Sequence, residues 1–136
     1  MNHQPDFFIR TKASKLLPAK EIEEHIKVAQ LLRMTLVPGW MWFHCPNGEV
    51  RDKRTAAKLK AMGVRPGVSD FILIAPPNGC VHCLELKRGG LKPTPEQLDF
   101  LHEVKAAGGR ANWANSFDGA VQILKQWGAI RVTVAG

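Results

Sequence analysis

The chain has no tyrosine, three cysteines (Cys45, Cys80 and Cys83) and 12 acidic residues against 19 lysines and arginines in 136 positions. Three thiols cannot all pair with one another, and a chain of this length can build a hydrophobic core without disulfide staples. They are read as reduced thiols. No apolar run approaches the roughly 18 residues that span a bilayer, and the first residues lack the apolar stretch of a signal peptide. The expectation is a cytoplasmic protein with no membrane partner. Composition also excludes a largely disordered or collagen-like chain, because 45% of the residues are hydrophobic and 23% charged. What remains is one domain over residues 18–136, preceded by a loosely ordered arm over residues 1–17.

The shortage of acids leaves a formal charge of +7, which points to polyanions as partners. The excess is uneven. Arg51, Lys53, Arg54, Lys58, Lys60 and Arg65 stand against one acid, Asp52, so five of the seven net charges fall in this stretch. Such a run is either a solvated helix face or a phosphate-binding surface. The Cys80-Val81-His82-Cys83 stretch, with His44-Cys45, carries the residue types of a zinc site. It reads as a strand, however, and strand residues i and i+3 point to opposite faces, so zinc is not expected.

Periodicity predicts a helix from Ala19 to about Met34, with Pro18 at its start. Ile22, Ile26, Val28, Ala29 and Leu32 share its apolar sector, and Glu23 is placed for an exposed pair with Lys27. Glu21 and His25 interrupt that sector, so Glu21 either finds a partner there or faces a site. Trp40 to His44 reads as a short strand, ended by Pro46-Asn47-Gly48. Asp52 to Met62 reads as a short helix with Ala56, Leu59 and Met62 as its packed edge and its cations outward. Gly63 to Val68 is a breaker-rich lead into the next element.

Asp70 to Ala75 and Cys80 to Leu86 are apolar runs separated by Pro76-Pro77-Asn78-Gly79, a hairpin signal. A two-residue turn sets Asp70 opposite Lys87, and a four-residue loop sets it opposite Glu85. Either places Asp70, Glu85 and Lys87 on one face, whereas a three-residue loop breaks the parity. Thr94-Pro95-Glu96-Gln97 has the arrangement of a capping box opening a helix to about Ala106. Gly108-Gly109 ends that helix, Arg110 to Asn115 reads as a strand, and Ser116 caps a helix through about Gln126. Ile130 to Val134 reads as a terminal strand. The alternation predicts an α/β fold, a mixed sheet flanked by helices.

Two carboxylates and a lysine on one sheet face suit phosphodiester hydrolysis. Carboxylate oxygens hold Mg²⁺ or Mn²⁺ with positions left for water and phosphate, and the lysine can orient the water and offset developing charge. The bland alternative is a surface salt bridge.

Gly63-Val64-Arg65-Pro66-Gly67-Val68-Ser69-Asp70, then Leu84-Glu85-Leu86-Lys87, then Thr94-Pro95-Glu96-Gln97, resembles the VRR-NUC family, the virus-type replication-repair nucleases of the PD-(D/E)xK superfamily. Glu21 with His25 resembles that family's first-helix motif, and His44-Cys45-Pro46-Asn47-Gly48 with Arg51 its following segment. Ser69 stands where the motif usually has proline. The resemblance covers roughly residues 19–127 and implies a restriction-endonuclease-like αβββαβ core. It also implies a Mg²⁺- or Mn²⁺-dependent DNA endonuclease of the short stand-alone phage and bacterial kind, working as a homodimer on branched DNA such as Holliday junctions. A bacterial or phage-infected cell is the implied setting, and DNA repair the implied context.

By the same resemblance Asp70 and Glu85 are metal ligands, the main-chain carbonyl of Leu86 completes the site, and Lys87 is the catalytic lysine. Glu21 is the supporting acid. Gln97 matches a family position near the site, while the capping box explains it without catalysis; both readings stand. His25, His44 and Asn47 are read as supporting or packing residues. The rival functions are a basic DNA-binding module that does not cut and a duplex-cutting nuclease of restriction type.

Overall fold

The computed structural model describes residues 19–46 and 52–131. The expected arm over residues 1–17, Pro18, Asn47, Gly48, Arg51 and the end of the expected terminal strand lie outside the described residues. Eight elements follow in order: α1 (Ala19–Thr35), β1 (Met41–His44), α2 (Lys53–Ala61), β2 (Phe71–Ala75), β3 (Cys80–Leu86), α3 (Pro95–Ala106), β4 (Arg110–Ala114) and α4 (Phe117–Gln126). The strands form one sheet in the order β1-β2-β3-β4, with the first two pairings antiparallel and β3-β4 parallel. Parallel neighbours need a long crossover, and α3 supplies it. The arrangement is the expected restriction-endonuclease-like αβββαβ order, with α2 inserted between β1 and β2.

Alternation along the strands divides the core in two. Phe71, Leu73, Leu84 and Leu86 face Val28 and Leu32 of α1 and Ala120, Ile123 and Leu124 of α4. Ile72, Cys83 and Ala111 face Leu101 of α3 on the other side. Leu32, Leu73, Leu84 and Leu124 are fully buried, and each such side chain contributes roughly 1.5–3 kcal/mol. His82 is held among aromatics, its ring 4.9 Å from both Trp40 and Trp127. Its neighbour Cys83 lies in the opposite cluster, so the His82 and Cys83 side chains do not converge.

The helix starts are those the sequence encodes. Thr94 and Gln97 form a complete capping box with Pro95 at the first position, Ser116 Oγ accepts from the Gly119 amide at 3.0 Å, and Asp52 accepts from the Thr55 amide at 2.8 Å.

Several local expectations are corrected. Ile26 is 50% exposed and Ile22 is exposed as well, because α1 meets the core only through Val28, Leu32 and their partly buried neighbours. Lys27 pairs with Glu24 at 3.4 Å, not with Glu23. The expected packed edge of α2 does not form: no residue of the helix is buried and Met62 is 78% exposed, since neither core cluster reaches it. Of the expected terminal strand, Ile130 makes an isolated antiparallel bridge with Leu36, and the positions from 132 onward lie outside the described residues.

Candidate active site

The hairpin register decides where the acids fall. Ala75 pairs with Cys80 and Phe71 with Leu84 across the four-residue loop Pro76–Gly79, so the next position sets Asp70 opposite Glu85. Two residues on, Lys87 shares their face. Asp70 is fixed from both sides. Its carbonyl accepts from the Cys45 amide at 2.8 Å and from His44 Nδ1 at 2.7 Å, while its Oδ2 accepts from the Leu86 amide at 2.8 Å. Sheet bonds thus hold the backbone and a strand amide aims the carboxylate.

Glu85 is only 3% exposed, and its buried Oε1 has no hydrogen-bond partner. Burial above all, then the Asp70 charge, pushes its carboxyl up to about 9; Lys87 opposes the shift and Glu21 adds to it. Glu21 therefore comes from α1 within electrostatic reach. Lys87 Nζ donates to Gln97 Oε1 at 3.2 Å, and the same oxygen accepts from the Thr94 amide at 2.9 Å. Gln97 thus caps α3 and also bonds the Lys87 ammonium.

The residues present fit a hard divalent cation. A buried carboxylate oxygen without a partner, beside a second carboxylate, is an electrostatic deficit that a cation relieves. Among the described residues no three His, Cys, Asp or Glu side chains enclose a metal-sized space. The candidate centre is thus an open pair of carboxylates, the kind of site in which Mg²⁺ keeps waters and takes substrate phosphate oxygens.

Two histidines flank this centre in the supporting and packing role read from the sequence. His25 is 9% exposed, and its Nε2 lies 3.6 Å from Asp70 Oδ2 with no hydrogen bond of its own. Its ring packs 5.1 Å from that of His44, and both rings lie against Phe71. The signal for His25 was its position one turn from Glu21; for His44 it was a strand position just before the turn residues Pro46-Asn47-Gly48. Neither spacing tells which atom of Asp70 each ring meets.

Of the expected phosphate-binding cations, Lys53, Arg54, Lys58 and Lys60 lie exposed on α2, and no ion pair engages them among the described residues. Arg65 differs. Its guanidinium grips both carboxylate oxygens of Glu103 and lies 5.2 Å from the centroid of the Phe100 ring, which compensates its charge. Arg51 lies outside the described residues.

Compared by sequence, the chain matches no family model and no curated protein. Among solved structures it is similar to one described as a "VRR_NUC domain protein", at 24% identity and a TM-score of 0.67, over 86% of this chain and all of that one. The chain therefore has the VRR-NUC fold, in line with the resemblance of its motifs.

Proposed function

We propose that the protein is a divalent-metal-dependent DNA endonuclease. The observation that carries this reading is the unpartnered Glu85 carboxylate oxygen buried beside Asp70, with Lys87 on the same face. Folding has placed two carboxyl groups where they cannot both ionise freely, and a ligand cation offsets the cost of ionising the second. Mg²⁺ or Mn²⁺, held by Asp70, Glu85 and the Leu86 carbonyl, would acidify a water and polarise a phosphate oxygen.

The chain's own groups do the rest. Lys87, kept in place by Gln97 Oε1, presents an ammonium toward the reacting phosphate, where it orients the water and offsets negative charge as it develops. Asp70 cannot swing away, because the Leu86 amide holds its carboxylate. Glu21 stands by as a third acid from α1, and the α2 cations hold backbone phosphates on either side of the cut. Branched DNA such as a Holliday junction is the proposed substrate and a homodimer the proposed working unit, both from the family the motifs resemble. No helix among the described residues is long and apolar enough to cross a membrane.

The test is cleavage of a panel of four-way junction, flap, splayed and duplex DNA with Mg²⁺ or Mn²⁺, by the parent and by Lys87→Ala. The parent should cut at least one substrate, the junction best, and the variant should lose at least about a hundredfold in rate, the scale of a general acid–base group. Absence of cutting with both metals, or a variant as active as the parent, overturns the reading.

A further inference from the structure

Helix α2 stands off the sheet, and the space it leaves is a groove of about 780 Å³, within the roughly 300–1,000 Å³ of small-ligand sites. Ala56 and Leu59 of α2 line one side and Phe43, His44 and Cys45 at the end of β1 the other, with Pro66 and Val68 between. The lining is mostly apolar, and the Phe43 side chain is 45% exposed beside it. Two further facts say what kind of occupant belongs there. The helix along its rim is KRTAAKLKA, with four cations and no acid, all four exposed. The opposite end reaches the candidate active site, since His44 and Cys45 both bond the Asp70 carbonyl.

An occupant with a flat apolar body and an anionic backbone matches a slot of this composition under this rim; a nucleotide has both. A base paired and stacked in a duplex cannot enter such a slot, whereas an unpaired one can turn out of the strand and lie against an aromatic ring. We infer that the groove between α2 and β1 takes the base of an unpaired nucleotide next to the scissile phosphate. Lys53, Arg54, Lys58 and Lys60 hold the phosphates of that strand. The inference rests on the nuclease reading for the identity of the strand as DNA, and it favours branched DNA in which a nucleotide beside the cut is unpaired or opens at the branch point. Discrimination comes from shape and stacking at this groove and not from reading base edges.

The experiment compares the binding of two duplexes that differ at one bulged position, 2-aminopurine in one and an abasic residue in the other, in Ca²⁺ and in EDTA so that no cutting is needed. The full chain should bind the first about tenfold more tightly, the scale of one base stacked on an aromatic ring, and the 2-aminopurine fluorescence should change on binding. Ala56→Trp fills the groove from a helix that buries no residue, so the fold is retained, as circular dichroism would verify. This variant should bring the affinity ratio close to one, and Phe43→Leu should reduce it. Equal affinity of the parent for both probes overturns the inference, as does an Ala56→Trp variant that keeps the preference or changes only the oligomeric state, which would make the groove a contact between copies of the chain. The nuclease reading fails separately, by absence of metal-dependent cutting across the DNA panel.

Discussion

At the scale of single residues, the centre is built from groups that are uncomfortable alone. Glu85 keeps its proton when folded well above the pH at which the unfolded carboxyl loses it, because burial and then Asp70 disfavour its charge. Between the ordinary carboxyl range and about pH 9, folding therefore takes up a proton, and stability falls as pH rises through that window. Glu85→Gln removes this slope. In EDTA at pH 8 the variant is expected to be more stable than the parent by about 1–3 kcal/mol in urea unfolding, the scale of one badly solvated buried group. Added Mg²⁺ or Mn²⁺ should raise the midpoint of the parent but not of the variant, because only the parent can give up the Glu85 proton and offer the cation a second carboxylate. Gln97 supports a second prediction. Gln97→Ala loses the acceptor for both Thr94 and Lys87, so it should lower stability by about 1 kcal/mol and also lower kcat with little change in KM. Gln97→Glu preserves an acceptor for both donors and should recover most of each loss. The cap was legible in the sequence, because capping is a local pattern of four residues. The bond to Lys87 was not, since it depends on where α3 enters beside β3.

Among elements, register and packing were unequally legible. The parity of the hairpin followed from loop length alone, and the four-residue loop puts Asp70 opposite Glu85, one of two registers the sequence left open. The face of α2 misled for a physical reason: helical spacing of Ala56, Leu59 and Met62 marks an apolar edge but does not supply an element to cover it. The segment before Asp70 read as a turn, yet its principal constraint is a contact distant in sequence. Gly67 has φ +84°, and a Cβ there would collide with the Glu96 carbonyl in the first turn of α3. The chain leading to Asp70 is thereby pressed onto the helix that carries Gln97, so one close approach sets the spacing between the acid and the lysine's acceptor. Gly67→Ala is expected to cost about 1–3 kcal/mol through backbone strain and the forced separation. It should also slow cleavage more than it weakens DNA binding, because the displaced group is Asp70 and the α2 cations lie elsewhere. Chemical unfolding and single-turnover cleavage, measured on the same preparation, check the two parts.

For the molecule as a whole, the +7 charge pointed to polyanions, but the sum could not say which cations are free to act. The sequence places six in one stretch. Glu103, 38 positions beyond Arg65, compensates one of them, whereas Lys53, Arg54, Lys58 and Lys60 stand exposed along a helix that contributes nothing to the core. A helix that buries no residue yet concentrates four cations along the groove leading to the candidate site is better placed to hold a ligand than to hold the fold. Each phosphate neutralised by such a cation releases counterions, and log K then falls with log salt by about 0.9 for each contact on duplex DNA. Replacing all four by alanine should therefore reduce the slope by about 3 to 4 and leave the cooperativity of unfolding intact, because α2 is not part of either core cluster. Arg65→Ala should change the slope by well under one, since its guanidinium already faces a carboxylate. It should instead loosen the loop against α3. Fluorescence anisotropy titrations of duplex DNA across a salt series measure both slopes. An unchanged slope in the fourfold variant would place the DNA on another face and, with it, remove the charged rim on which the groove beside β1 depends.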